Sequence, residues 1–385
     1  MPPNAAARPP EQIIDILERS IPLLQGKQIL AGFDGFIDTI VKPVRKFGTD
    51  GKFEYFDTIA GFGTFIGEHS HKSTSIQYDI QRKKAGGNMP NFVLALDALS
   101  LPVTAIGMLS TETGETDTIF KELGKQRYSY LPAGTAMALE FEDGKIFLSP
   151  ANVPGVSRNK EIFSRIENVF PDFSDAAASA DLIAFLNWSE LPFAQDLWED
   201  IFIHALNSAA ADKTRFVFFD LCDTSAKSPS EIKAVFRLID KIGERRGTIL
   251  SMNKNEALDA AGKISGKSRA AGSAGAVTES ARLLFGSLSV DELIVHQHTG
   301  SIALSAKEGM ETDECVFNKT PNISTGAGDH FNAAYGFATL AGLPIAEKLL
   351  FANSYSGAYI AGGSSPSLEE LRYFSKRRNN SGSVT

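Results

Sequence analysis

DLIAFLNWSELPFAQDLWEDIFIHALNSAAADKTRFVFFD, residues Asp181–Asp220, carries the pattern from which the fold follows. Its first eight residues form a short, nearly uninterrupted apolar run, the signature of a strand buried on both faces. Phe193–Ser208 then repeats apolar residues at helical spacing, and Thr214–Asp220 is strand-like again. Strand and helix in alternation imply parallel pairing, because the helix returns the chain to the edge from which it started.

Strands of the same kind are predicted at Lys27–Phe33, Leu101–Leu109, Gly247–Asn253 and Asp291–His298, with helical spacing at Glu11–Leu24, Asn88–Leu99, Glu115–Leu123 and Ser230–Ile242. The class is α/β: a mainly parallel central sheet flanked by helices on both faces. Ligands on such sheets bind beyond the carboxyl ends of the strands. Two stretches break the alternation. Thr135–Pro150 reads as two strands around Glu142-Asp143-Gly144, and Val41–Thr58 carries a second hairpin signal at Asp50-Gly51. Inserted between early strands, they predict a small β lid at about residues 40–60 and 134–150. The expected organisation is one domain over 11–374, between a tail at 1–10 and a polar tail at 375–385. Ala261–Gly275 reads as a surface connection.

Across 385 residues, 38 basic and 46 acidic side chains leave a net charge of −8, which argues against a broad footprint on nucleic acid or anionic membrane. Cys222 and Cys315 stand far apart without a Cys/His cluster, so neither a disulfide framework nor a structural zinc site is expected. No signal-peptide pattern or spanning apolar run is read, and the expectation is a cytoplasmic protein. The 27 phenylalanines do not alternate with basic residues and read as core filling.

The strongest chemical signal is STGAGDHFNAAYGFATLAG, from Ser324. Gly326, Ala327 and Gly328 would turn tightly so that their N–H groups, at the positive end of the following helix, converge on an oxyanion. Asp329 would stand beside it, placed to accept a proton. The same residues also read as a helix cap. Likewise, Gly86-Gly87-Asn88 with Asn91 reads either as amides offered to hydroxyls or as a helix start with Pro90 in its first turn. Asp34 and Asp38 read as hydroxyl-gripping carboxylates or as turn formers, and Asn253 with Glu256 as phosphate and metal organisers or as a capping box.

GGNMPN at Gly86–Asn91, NKNE at Asn253–Glu256 and GAGD at Gly326–Asp329 resemble, in this order and separation, the motifs of the ribokinase-like (PfkB-type) carbohydrate kinase superfamily. The resemblance spans roughly residues 27–363. It implies an ATP-dependent phosphotransferase whose lid closes over a sugar-like substrate. Asp329 would be the general base and Gly326, Ala327 and Gly328 the anion hole. Asn253 and Glu256 would organise Mg²⁺, chiefly through water, together with the nucleotide phosphates. Sugar hydroxyls would fall to Asp34, Asp38, Gly86, Gly87, Asn88 and Asn91, and the nucleotide side to Thr325, Gly300 and Asn353. A homodimer through the lid edge is a further expectation.

Departures from the family pattern are Ile323, where an Asp often helps to bind a monovalent cation, and His330, where a small residue is usual. His296 and His298 depart likewise near the nucleotide, His298 reading either as an adenine contact or as a surface histidine. Asp220 and Asp223 follow another strand, as metal-side or turn carboxylates. Arg82, Lys83 and Lys84 read as a solvated charge run, with a substrate phosphate as the other reading. Alternatives are a nucleoside kinase, an ADP-dependent sugar kinase and a non-catalytic sugar or nucleotide sensor. An oxidoreductase is weaker, since no GxGxxG follows the first strand.

Overall fold

The computed structural model describes residues 11–48, 51–150, 161–266, 275–315 and 325–380. Strands run β1 Ile29–Gly32, β2 Phe36–Phe47, β3 Phe53–Tyr55, β4 Tyr78–Gly86, β5 Val103–Ser110, β6 Gln126–Pro132 and β7 Gly134–Phe141. They continue as β8 Gly144–Leu148, β9 Leu182–Leu186, β10 Asp212–Asp220, β11 Arg246–Asn253, β12 Glu292–Gln297, β13 Gly300–Ser305 and β14 Gly309–Glu314. Helices are α1 Glu11–Ser20, α2 Ile59–Glu68, α3 Asn88–Ala98, α4 Ile162–Val169, α5 Phe173–Ser179 and α6 Ala194–Ile201. The remainder are α7 Pro229–Gly243, α8 Lys254–Ser265, α9 Ala276–Gly286, α10 Ala327–Leu340, α11 Ile345–Gly362 and α12 Leu368–Asn380.

Nine strands form the central sheet in the order β14-β13-β12-β11-β10-β9-β1-β5-β6, parallel from β12 to β6 and closed at one edge by the antiparallel β13–β14 hairpin. Period-two alternation divides each strand between two cores. In β9, Leu182, Ala184 and Leu186 pack with α1, α3, α10, α11 and α12, while Ile183 and Phe185 pack with the layer of α4 to α9. Both faces are covered, which is why these strands read as continuous apolar runs.

The smaller sheet is ordered β3-β2-β7-β8, with β4 also on β2. The two predicted hairpins are both present, but one parallel pairing, β2 with β7, joins them. Val41, Phe56, Phe62, Leu139 and Phe141 give this sheet a core of its own.

Three expectations are corrected. Glu115–Leu123 is not a helix: only Thr118–Phe120 turns, held by the Asp117 carboxylate accepting from Ile119 N, because a bridge between Ser110 and Thr116 ties back the preceding residues. Ala261–Gly275 is not all connection, since α8 runs on to Ser265, while residues 267–274 lie outside the described ones. The C-terminal tail is helical through Asn380. Residues 1–10 and 381–385 lie outside the described ones, as do Ile323 and Ser324.

Candidate active site

Asp34 follows β1 at the carboxyl end of the sheet and is fully buried. Its Oδ1 accepts from Met89 N at 2.7 Å, and its Oδ2 accepts from Asn88 N at 2.7 Å and Asn187 Nδ2 at 2.8 Å. Burial pushes its carboxyl up to about 6, against the pull of those donors. The carboxylate therefore caps α3 from a distant part of the chain, and its oxygens are committed to the turn rather than free for hydroxyls. That contact dictates the glycines. Gly87 has φ +95° and a Cβ there would stand 2.5 Å from Asp34 Oδ2, while one on Gly86 would stand 2.2 Å from Asp38 Oδ1.

On the far side of the cleft, Gly326 caps α10 with φ +89°, and among the described residues no side chain caps the N–H groups of its first turn. The leading N–H groups of that helix are consequently open donors. Asp329 lies in this first turn, half-buried, and its Oδ2 accepts from Asn91 Nδ2 at 3.0 Å. Asn91 also donates to Gly87 O at 2.9 Å. One amide thus joins the GGN turn to the GAGD carboxylate. Burial first, then Asp220 and Asp34, push the Asp329 carboxyl well above the ordinary range; Asn91 and Lys84 pull it down. Such a group is a stronger base than a solvated Asp once ionised.

Beneath these turns lies Asp220, at the end of β10. Its Oδ2 accepts from Asn332 Nδ2 at 2.8 Å and Asn88 Nδ2 at 3.3 Å, and its Oδ1 from Cys222 N at 2.8 Å. Ser251 donates to Asn332 Oδ1 at 2.6 Å, so β10, β11, α3 and α10 share one buried network. At the head of α8 the capping box is real: Asn253 Oδ1 accepts from Asn255 N and Glu256 N, and Glu256 Oε2 accepts from Asn253 N at 2.7 Å. Burial and the neighbouring Asp220 push Glu256 up to about 8.

Several predicted residues are otherwise engaged. Asn353 donates to Ser301 Oγ and Asp313 Oδ2 and accepts from Cys315 Sγ, so its amide is spent tying α11 to the β13–β14 hairpin. Gly300 opens β13 and pairs with Gln297 and Glu314. Thr325 lends its carbonyl to Tyr359 Oη at 2.7 Å. His298 is exposed in the turn after β12, and Asp223 is an exposed turn carboxylate bound by Ser225 N.

His330 is buried, its Nδ1 2.7 Å from Gly326 O and its Nε2 2.8 Å from Ser365 Oγ. A carbonyl only accepts, so Nδ1 carries the hydrogen and Nε2 accepts from the serine. Burial lowers this imidazole to about 4, and it is neutral at ordinary pH.

The charge run is not solvated throughout. Lys84 faces Asp38 across the β2–β4 pairing and is half-buried, with no ion pair among the described residues. Burial pulls its ammonium down while Asp38 and Asp329 hold it up. Two further residues escaped sequence reading. Asn187, with φ +60°, binds Asp34, and Glu190 is raised by burial and lies within the field of Asp38. Only their place after β9, another parallel strand aimed at the cleft, could have flagged them.

Residues 10–377 match the prokaryotic ketohexokinase family. The chain belongs to that family. A curated relative, the ketohexokinase of Haloferax volcanii, is 24% identical over 369 residues, covering 94% of each chain. Among solved structures, Arabidopsis thaliana ribokinase complexed with ribose and ATP superposes with a TM-score of 0.58 at 16% identity, over 91% of this chain and 98% of that one. A phosphofructokinase-2 mutant from Escherichia coli gives 0.60 at 13%, over 92% and 99%. This ketohexokinase-family chain therefore has the ribokinase fold and is a carbohydrate kinase, a phosphotransferase with an alcohol acceptor. Among the described residues, no helix is long and apolar enough to cross a membrane.

Proposed function

We propose that the chain transfers the γ-phosphoryl group of ATP to a hydroxyl of a ketohexose, with Asp329 as general base and Gly326, Ala327 and Gly328 as the anion hole. The observation that carries this reading is the Asn91–Asp329 hydrogen bond, which brings the acceptor-side turn and the phosphoryl-side turn to one carboxylate. The name of the Haloferax relative supplies the acceptor class, and the ATP in the Arabidopsis complex supports the donor.

A sugar hydroxyl is a poor nucleophile and the phosphate is shielded by charge, so transfer depends on positioning and neutralisation. Asp329 takes the hydroxyl proton as oxygen attacks the γ-phosphorus. The bond from phosphorus to the β,γ-bridging oxygen breaks, and ADP leaves with the electron pair. The open N–H groups of α10 hold the phosphoryl oxygens.

Asn88, Asn91 and Asp38 bound the acceptor space, and Asp34 shapes it from behind. Mg²⁺ would be held beside Asn253 and Glu256 through water, where the Glu256 carboxyl, raised by burial and by the neighbouring Asp220, marks negative charge that a divalent ion relieves. When bound, the ion neutralises polyphosphate charge. The small sheet acts as the lid, and its exposed Phe47, Phe53, Tyr78, Ile80, Phe147 and Leu148 support pairing of two copies through it.

Asp329→Asn is the test. It should keep ATP affinity within threefold and lose about 10²–10⁴-fold in kcat, the usual worth of a positioned base. Near-parental transfer to fructose by that variant would remove Asp329 from the base role.

A further inference from the structure

Three side chains grip the GAGD turn from behind. Tyr359 Oη donates to Thr325 O at 2.7 Å, His330 Nδ1 to Gly326 O at 2.7 Å, and Ser356 Oγ to Ala327 O at 2.9 Å. These are the carbonyls of three consecutive peptide planes. In a trans peptide the C=O of one residue and the N–H of the next point in opposite directions. Two of those carbonyls are held against α11, and that of Gly326 by His330 of α10 itself, whose backbone N–H also reaches it at 3.0 Å; this turns the N–H groups of Gly326, Ala327 and Gly328 outward, beyond the start of α10.

The three grips reinforce one another. The His330 ring stacks on Tyr359 with centroids 3.6 Å apart and planes at 19°, and its other nitrogen is held by Ser365. His330 and Tyr359 are buried, with only 1% and 4% exposed, so water does not compete for either bond. The imidazole therefore fills a structural place in this chain, one that a small residue cannot fill.

We propose that His330, Ser356 and Tyr359 are positioning residues that pre-set the anion hole by fixing its peptide planes through their carbonyls. This rests on the reading of the GAGD turn given above. A hole whose donors are already aimed avoids reorganisation when charge develops on the phosphoryl oxygens, so the benefit falls on the transition state rather than on ATP binding.

Tyr359→Phe and His330→Phe each remove a grip and keep the ring, and His330→Asn restores a donor toward Gly326 O. The first two should each lower kcat about tenfold, with KM for ATP and fructose within threefold, less than loss of a direct oxyanion donor costs. They should weaken inhibition by ADP plus aluminium fluoride, a mimic of the migrating phosphoryl group, by the same factor. His330→Asn should return kcat to within threefold of the parent. The proposal is overturned if kcat stays within threefold in both ring variants, or if ATP and the fluoride complex weaken equally. Should His330→Phe fail to fold, Tyr359→Phe, which removes one oxygen, decides alone. An inactive Asp329→Asn beside fully active grip variants would sink this inference and leave the base reading standing; an active Asp329→Asn would sink the reading itself.

Discussion

Lys348 on α11, Glu292 on β12 and Tyr335 on α10 form a buried clamp between the two helices and the start of β12, and the cost of its disruption follows from its geometry. Lys348 Nζ donates to Glu292 Oε1 at 2.6 Å and Tyr335 Oη donates to Glu292 Oε2 at 2.6 Å, with Lys348 and Glu292 only 5% and 8% exposed. The ammonium also stands 5.5 Å from the centre of the Tyr335 ring. Lys348→Met keeps the side-chain length but leaves the Glu292 carboxylate buried with one neutral donor. Breaking a buried pair from one side costs about 3–5 kcal/mol, whereas replacing both partners by apolar groups is often near neutral. Lys348→Met should therefore lose about 3–5 kcal/mol in urea unfolding at pH 7, and the double variant Lys348→Met/Glu292→Leu, which leaves only the buried Tyr335 hydroxyl without its acceptor at a cost of about 1–3 kcal/mol, should recover the difference. Because Tyr335 and Asp329 share α10, heat inactivation should move in step with unfolding. A single variant within about 1 kcal/mol of the parent, or a double variant no better than the single, would refute the clamp.

Lys84→Met removes the cation that pulls the Asp329 carboxyl down. That carboxyl then ionises at higher pH, so if it is the base, as proposed, the acid limb of kcat/KM should move to higher pH; a loss of activity with the limb unmoved would contradict this. Asp97 is raised from 3.8 to about 6 by burial while it accepts from Gly124 N. The folded state thus binds the proton more tightly, and the stability this contributes is complete below about pH 4 and lost as pH rises toward about 6. Asp97→Asn keeps the acceptor and should gain about 1 kcal/mol over the parent at pH 7.5, after discounting for solvent screening, and nothing at pH 4; an equal difference at both pH values would contradict it.

The parallel core was legible because strands buried on both faces have nowhere to place polar side chains, as β9 illustrates from Leu182 to Leu186. Strand β4 was not. Tyr78–Gly86 exposes most of its residues, and a charged strand on a small sheet carries no apolar period to read. The Glu115–Leu123 helix failed for the converse reason: a short periodic pattern cannot register a bridge made to Ser110.

The sequence by itself determined the alternation of buried strands and helices, and it placed three glycine- or asparagine-led turns at helix starts, because period and turn chemistry are local properties. Tertiary structure alone decided what those turns do to one another. Asp34 became the anchor of the GGN turn, Asn353 a tie rather than a free amide, and Lys84 a cation facing the cleft. Which partner a carboxylate or amide finds depends on chain segments forty or more residues away meeting in the fold. Spacing along the chain carries no record of that meeting.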